Sequence, residues 1–160
     1  MEAVPDLLLS VFSGLEINFF SSEVLVSFCI VLILIVLSAF ISGAEVAFFS
    51  LTSVDIEEIK KNKSHLKVLD LLKEPNKLLA TILIANNFIN VSIVILFAYL
   101  TSIAITFPEG SNLEFIFEVI IITSLLVLFG EITPKVYANN NAKRFSLMMA
   151  VPLKSLHKIF

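Results

Sequence analysis

Three apolar runs, over 24–49, 78–105 and 115–134 of a 160-residue chain, leave few folds open. A helix crosses the hydrocarbon of a bilayer with about 20 apolar residues. Inside lipid each backbone N–H and C=O must be bonded within the chain, so runs of this length become helices. The composition agrees, at 58% hydrophobic with mean hydropathy +0.97, well beyond a soluble domain. The expected fold class is all-α integral membrane, in one domain over 24–160 after an N-terminal segment, 1–23. It has three transmembrane helices, a cytoplasmic amphipathic helical hairpin over 52–77, and a juxtamembrane interfacial helix over 143–160.

Charge sets the expected orientation. All eleven basic residues fall in 60–77 or after 134, and none in 1–23 or 106–114. By the positive-inside rule the N-terminus and the 106–114 turn lie outside, with 52–77 and the C-terminus in the cytoplasm. The expected location is a bacterial inner membrane, crossed several times. Residues 1–23 carry Glu2, Asp6, Glu16 and Glu23 with no basic n-region, so a cleaved signal peptide is not expected. Their short apolar patches, 7–12 and 17–20, suit a loop or interfacial segment. Cys29 is the single cysteine, which excludes a disulfide framework. No basic patch stands free of an apolar run, so no nucleic-acid partner is expected.

The connections carry their own signals. Thr52-x-x-Asp55 reads as a capping box. Ile56 and Ile59, then Leu66, Leu69 and Leu72, form a stripe at helical spacing, divided near Asn62 and Ser64. Glu74-Pro75-Asn76 ends that unit. In the tail, Phe145, Met148, Met149, Leu153 and Leu156 oppose Arg144, Lys154, His157 and Lys158, the pattern of a helix at the interface. The sequence stops within this element, as expected of a chain that runs on into a further domain.

Polar residues at membrane depth are expensive and point to function. The third run ends in Gly130-Glu131-Ile132-Thr133-Pro134-Lys135. Pro134 has no N–H for the Gly130 carbonyl four residues back, which places a free carbonyl beside the Glu131 carboxylate and makes Gly130 and Pro134 the expected helix break. The second run carries Asn86, Asn87 and Asn90, and the first Ser38 and Ser42 on one face, with Glu45 three residues on. Each has a plainer use. Asparagines bind helices together, serines bond their own i−4 carbonyl, and Lys135 stands one turn from Glu131 as a salt-bridge partner. In combination they bring hard oxygens from all three runs, with no His or Cys near them. Such a donor set suits Mg²⁺, Ca²⁺, Mn²⁺ or Na⁺.

Taken in order, Ser38-Ala-Phe-Ile-Ser42-Gly43-Ala44-Glu45, Ile84-Ala-Asn86-Asn87-Phe-Ile-Asn90 and Gly130-Glu131-Ile-Thr-Pro134-Lys135 resemble the transmembrane domain of the CorC/CNNM magnesium-transporter family. The acidic N-terminus is similar to a bacteroidete subgroup named for gliding motility. The resemblance implies a homodimer in the bilayer that exports Mg²⁺, coupled to Na⁺, from a dehydrated all-oxygen site near the membrane middle. By motif position its ligands would be Ser38 or Ser42, Asn86, Asn87 or Asn90, the Gly130 carbonyl and Glu131, with Glu45 and Lys135 nearby. Family members usually continue into ATP-binding CBS modules, which this sequence does not contain.

Two other function classes stand beside transport. A non-transporting platform for motility or secretion partners would work through the lysine-rich hairpin and tolerate loss of the oxygens. An enzyme is not expected, because His65 and His157 fall outside the runs and no nucleophile has a base beside it.

Overall fold

The computed structural model describes residues 16–17, 21–62, 65–106 and 113–157. The patches expected at 7–12 and 17–20 (Ile17 apart), Ser64 and most of the 106–114 turn lie outside them. The chain is helical and carries three helices long and apolar enough to cross a membrane, Ser22–Phe49, Pro75–Ala104 and Phe115–Asn140. The first is α1, Ser22–Phe49, started by Ser21, whose hydroxyl accepts from the Val24 N–H at 3.2 Å. Two short helices come next, α2 (Ser53–Lys60) and α3 (Leu66–Leu72). Helix α4, Pro75–Ala104, is the second span, with Pro75 in its first turn, where a missing N–H costs nothing. Glu74-Pro75-Asn76 therefore both closes the hairpin and opens the span. The third span is α5 (Leu113–Leu125), a π-helical segment (Leu126–Ile132) and α6 (Thr133–Asn140); α7 (Ala142–Leu156) ends the fold.

One small pairing departs from an all-helical chain. Strand β1, Glu16–Ile17, pairs antiparallel with β2, Ile105–Thr106. This ties the segment before α1 to the end of α4 and puts both on the same side of the bundle.

The capping box is formed. The Thr52 hydroxyl accepts from the Asp55 N–H at 3.2 Å, and the Asp55 carboxylate accepts from the Thr52 N–H at 3.0 Å. The Thr52 hydroxyl also donates to the Asp55 carboxylate at 2.6 Å, and this bond, followed by the one from the Thr52 N–H, holds that carboxyl below its ordinary value.

The core divides between the two ends of the spans. The larger cluster joins Ile41, Ala44 and Phe48 of α1 to Ile59, Val68, Leu71, Leu78, Ile82, Phe145, Met149 and Leu153. Apolar residues of the hairpin and the tail helix are thus buried against the spans. A smaller one, Val24, Val31, Leu100 and Ala104, closes the opposite end. Between them the spans expose Leu, Ile, Val and Phe outward, as lipid-facing helices do.

Helix α7 is bound more firmly than an interfacial helix needs. Phe145, Met149 and Leu153, at four-residue spacing, face inward, whereas Met148, expected on that stripe, is exposed. Lys143 pairs with Glu58 on α2, and Lys154 with Asp70 on α3 at 2.8 Å. Phe145 stands over Gly43, with Phe40 and Tyr137 ring centroids each 6.2 Å away. A Cβ on Gly43 would lie 2.7 Å from Phe145 Cζ and 3.3 Å from the Pro134 carbonyl oxygen. Only glycine lets α1, α6 and α7 meet so closely.

Gly43→Ala is therefore expected to cost about 1–3 kcal/mol, the range for overpacking a filled site, read as a lower Tm in detergent. Asp70 gives a pH effect. Hydrogen bonds from Lys154 and then Lys73 lower its carboxyl from the usual 3.8. A group with a lowered folded pKa contributes fully above the unfolded value and loses that contribution as pH falls through the folded one. Amide exchange in α7 should stay slow in the wild type until pH drops below 3.8, while Asp70→Asn should exchange faster already at neutral pH.

Candidate functional site

The site is built where α1 crosses α4 and the π segment. Ser38 is fully buried on α1, and its hydroxyl oxygen lies 2.7 Å from Asn90 Oδ1 and 3.3 Å from Asn86 Oδ1. A hydroxyl has one proton, so it donates to one carboxamide oxygen at a time. The shorter contact, to Asn90, takes it. Asn86 Oδ1 and the lone pairs of Ser38 stay available at the same point.

Several other hydroxyls behave as helix serines and threonines usually do. Thr81 donates to the Lys77 carbonyl, Ser92 to Phe88, Ser124 to Ile120 and Ser155 to Val151, each four residues back. Ser38 instead reaches across to another helix. Ser42, one turn on, is fully buried, and among the described residues its Oγ has no hydrogen-bond partner. A buried hydroxyl without a partner costs about 1–3 kcal/mol. Such an atom calls for a ligand, a water or a function.

The third span approaches this point through Gly130. It is buried, and a Cβ there would sit 3.3 Å from the Ser38 hydroxyl oxygen. The helix does not break as expected; it widens into a π turn, a form that often marks functional sites. The register decides which carbonyls go without donors. Thr133 N–H donates to the Leu128 carbonyl, five residues back. Helix α6 starts from Ile132, whose carbonyl takes the Val136 N–H by i−4 pairing. Between them stand the carbonyls of Phe129, Gly130 and Glu131. Pro134 has no N–H, so the Lys135 N–H alone remains for all of them. Sequence reasoning freed one carbonyl, that of Gly130; the π turn removes a donor from the same stretch a second time.

Of the remaining expected residues, Asn87 is exposed and joins none of these bonds, while Asn86 and Asn90 share the Ser38 hydroxyl. Glu131 is half-buried, next to Gly130, and makes no hydrogen bond or ion pair among the described residues. Lys135 is not its partner: Lys135 Nζ lies 3.3 Å from Glu45 Oε2 on α1. The third run also holds a carboxylate that reading it as apolar overlooked, Glu118. It is half-buried near the start of the span and has an interaction of its own. Its charge within the run was the signal that marked it.

The arrangement gathers the Ser38 hydroxyl and two carboxamide oxygens at one place, with Gly130 of the third span against that hydroxyl and Glu131 next to it in sequence. Among the described residues no cluster of three His, Cys, Asp or Glu could hold a metal. The donor set therefore fits a hard cation held mainly by neutral oxygens. Gly130→Ala should push the Ser38 hydroxyl off Asn90 and lower Tm, and adding Ser38→Ala should recover part of that loss. Strict additivity in this double-mutant cycle would mean that the two positions do not touch.

Comparison with known proteins covers most of the chain. Residues 29–160 match the family model described as the cyclin M transmembrane N-terminal domain, CNNM. A protein of Haemophilus influenzae described as a UPF0053 protein is 36% identical over 139 residues, covering 83% of this chain and 31% of that protein. A second UPF0053 protein, from Synechocystis, is 28% identical over 128 residues, covering 77% of this chain and 35% of its own length. The chain thus spans about a third of the length of the curated relatives it matches.

Proposed function

The chain belongs to the CNNM transmembrane family, and on that premise we propose that it carries a divalent cation, Mg²⁺ foremost, across the membrane through the oxygens gathered at Ser38. The observation that carries the reading is the pair of buried serines. Ser38 lies between two carboxamide oxygens of another span, and Ser42 has no partner among the described residues, whereas Thr81, Ser92 and Ser124 donate to carbonyls of their own helices. With Asn87 exposed, the candidate donors are the side-chain oxygens of Ser38, Ser42, Asn86, Asn90 and Glu131 and the Gly130 carbonyl. That number matches the octahedral demand of Mg²⁺, which also tolerates water in place of some ligands.

In this mechanism the ion leaves its hydration shell for neutral oxygens held at fixed positions, and Glu131 supplies the charge. A single carboxylate leaves a divalent ion only partly neutralised, so the ion can also be released. The π turn and Pro134 give the third span a place to flex while α1 and α4 stay packed. Alternating access then needs that span to move against the other two. Export coupled to Na⁺, an inner-membrane location with the N-terminus outside, and assembly as a homodimer belong to the same proposal. In favour of a second copy, only 11% of the third span's most apolar window is buried within the chain.

Calorimetry with Mg²⁺ on the purified protein in detergent tests the site. Glu131→Ala should abolish binding and transport, and Asn90→Ala should weaken binding about tenfold or more, equivalent to ~1.4 kcal/mol. Asn87→Ala should leave it unchanged. Lys135→Ala should cost less than Glu131→Ala. Wild-type protein that binds no Mg²⁺ across a range of Na⁺ concentrations, or Glu131→Ala that binds normally, would overturn the assignment.

A further inference from the structure

We infer that Glu45 is a positioning residue for the cation site: it holds the Lys135 ammonium away from Glu131 and so keeps that carboxylate open to a divalent cation. The inference rests on the transport reading above and deepens it. Lys135 has a carboxylate on its own span, four residues back. Glu placed before Lys at this spacing is the favoured helical pair, and across a membrane interior such a pairing would be the ordinary way to neutralise Glu131. The structure shows another choice. The ammonium crosses to α1 and sits 3.3 Å from Glu45 Oε2, and Glu131 is left without an ion pair among the described residues.

Glu45 is placed to do this by α1 itself. It stands at i+7 from Ser38 and i+3 from Ser42, on the face that carries both serines. A rise of about 1.5 Å per residue puts it ~4.5 Å beyond Ser42 along the helix. Both partners are about a third exposed, at 38% for the Lys135 side chain and 36% for Glu45. The pair is therefore accessible enough to separate, and an exposed pair of this kind adds little to stability. Lys73–Asp70, Lys143–Glu58 and Lys154–Asp70 all involve the hairpin, whereas Lys135–Glu45 joins two spans.

The physical consequence is a competition. If Glu45 loses its charge, the lysine stem has one acid left within a turn, Glu131. An ammonium tethered there opposes any cation arriving from solution, because the intramolecular partner is always present at high effective concentration. Removing the lysine removes the competitor.

Equilibrium Mg²⁺ binding to the full chain in detergent reads this directly, with size-exclusion profile and Tm recorded for each variant. Glu45→Gln should weaken binding about tenfold. Lys135→Gln should bind as tightly as wild type or a few-fold tighter. Glu45→Gln/Lys135→Gln should return to within about threefold of wild type, which a merely structural ion pair would not produce. A structural pair predicts instead that both single variants weaken binding alike and that the double variant is no better than either. That result, in protein that still folds, would overturn the inference while leaving Glu131 as a ligand. Normal binding by Glu131→Ala would instead remove the cation site itself, and a wild type that binds no Mg²⁺ would remove both.

Discussion

A polar atom in hydrocarbon must find a partner, and in this protein the Ser38 hydroxyl finds its partner on another span. The bond of 2.7 Å to Asn90 fixes how α1 and α4 face one another. It also fixes what the third span can bring to the crossing. Nothing larger than glycine fits at position 130 without crowding the same hydroxyl. The π turn answers a similar pressure: the third span must pass this point and then continue as a helix through Pro134. Its extra residue and the proline together leave carbonyls without donors at the one place where oxygens are already gathered.

Helix α1 serves as the common wall of the fold. Over two turns it gives Ser38 to α4, Gly43 to the ring of Phe145, and Glu45 to Lys135. Apolar residues on either side of that face lock into the core with the hairpin and α7. The hairpin and tail helix therefore act as a base on which the spans stand, held by apolar burial and by ion pairs at both ends of α7. The opposite end has a smaller core and a two-residue strand pairing. This asymmetry gives a transport reading a firm end and a loose one, with the candidate cation site between them.

Membership in the CNNM family and the geometry of the oxygens are separate lines of reading. The family match covers most of the chain without regard to where side chains point. The structure, for its part, singles out Ser38, Ser42, Asn86, Asn90 and Gly130 by contact and burial alone. The placement of charge is equally specific: among the described residues Glu131 has no ion pair, and Lys135, four residues on, is engaged by Glu45.

The sequence by itself determined the number of spans, the capped hairpin and the tail helix, because run length, charge segregation and the Thr52–Asp55 spacing are local properties; the third span runs on past 134 to Asn140. It also named nearly all of the candidate site, since a buried polar residue is conspicuous in an apolar run. Choosing between Asn86, Asn87 and Asn90 was beyond it, because helical spacing relates residues to each other and says nothing of which face meets a neighbour. Contact with Ser38 separates Asn86 and Asn90 from Asn87. The π turn escaped it too, as Gly130 and Pro134 are equally compatible with a kink. The partner of Lys135 escaped it as well, since local spacing assigns it to Glu131 and packing gives it to Glu45. Those outcomes belong to tertiary structure, for a helix's phase is set only by what it must pack against.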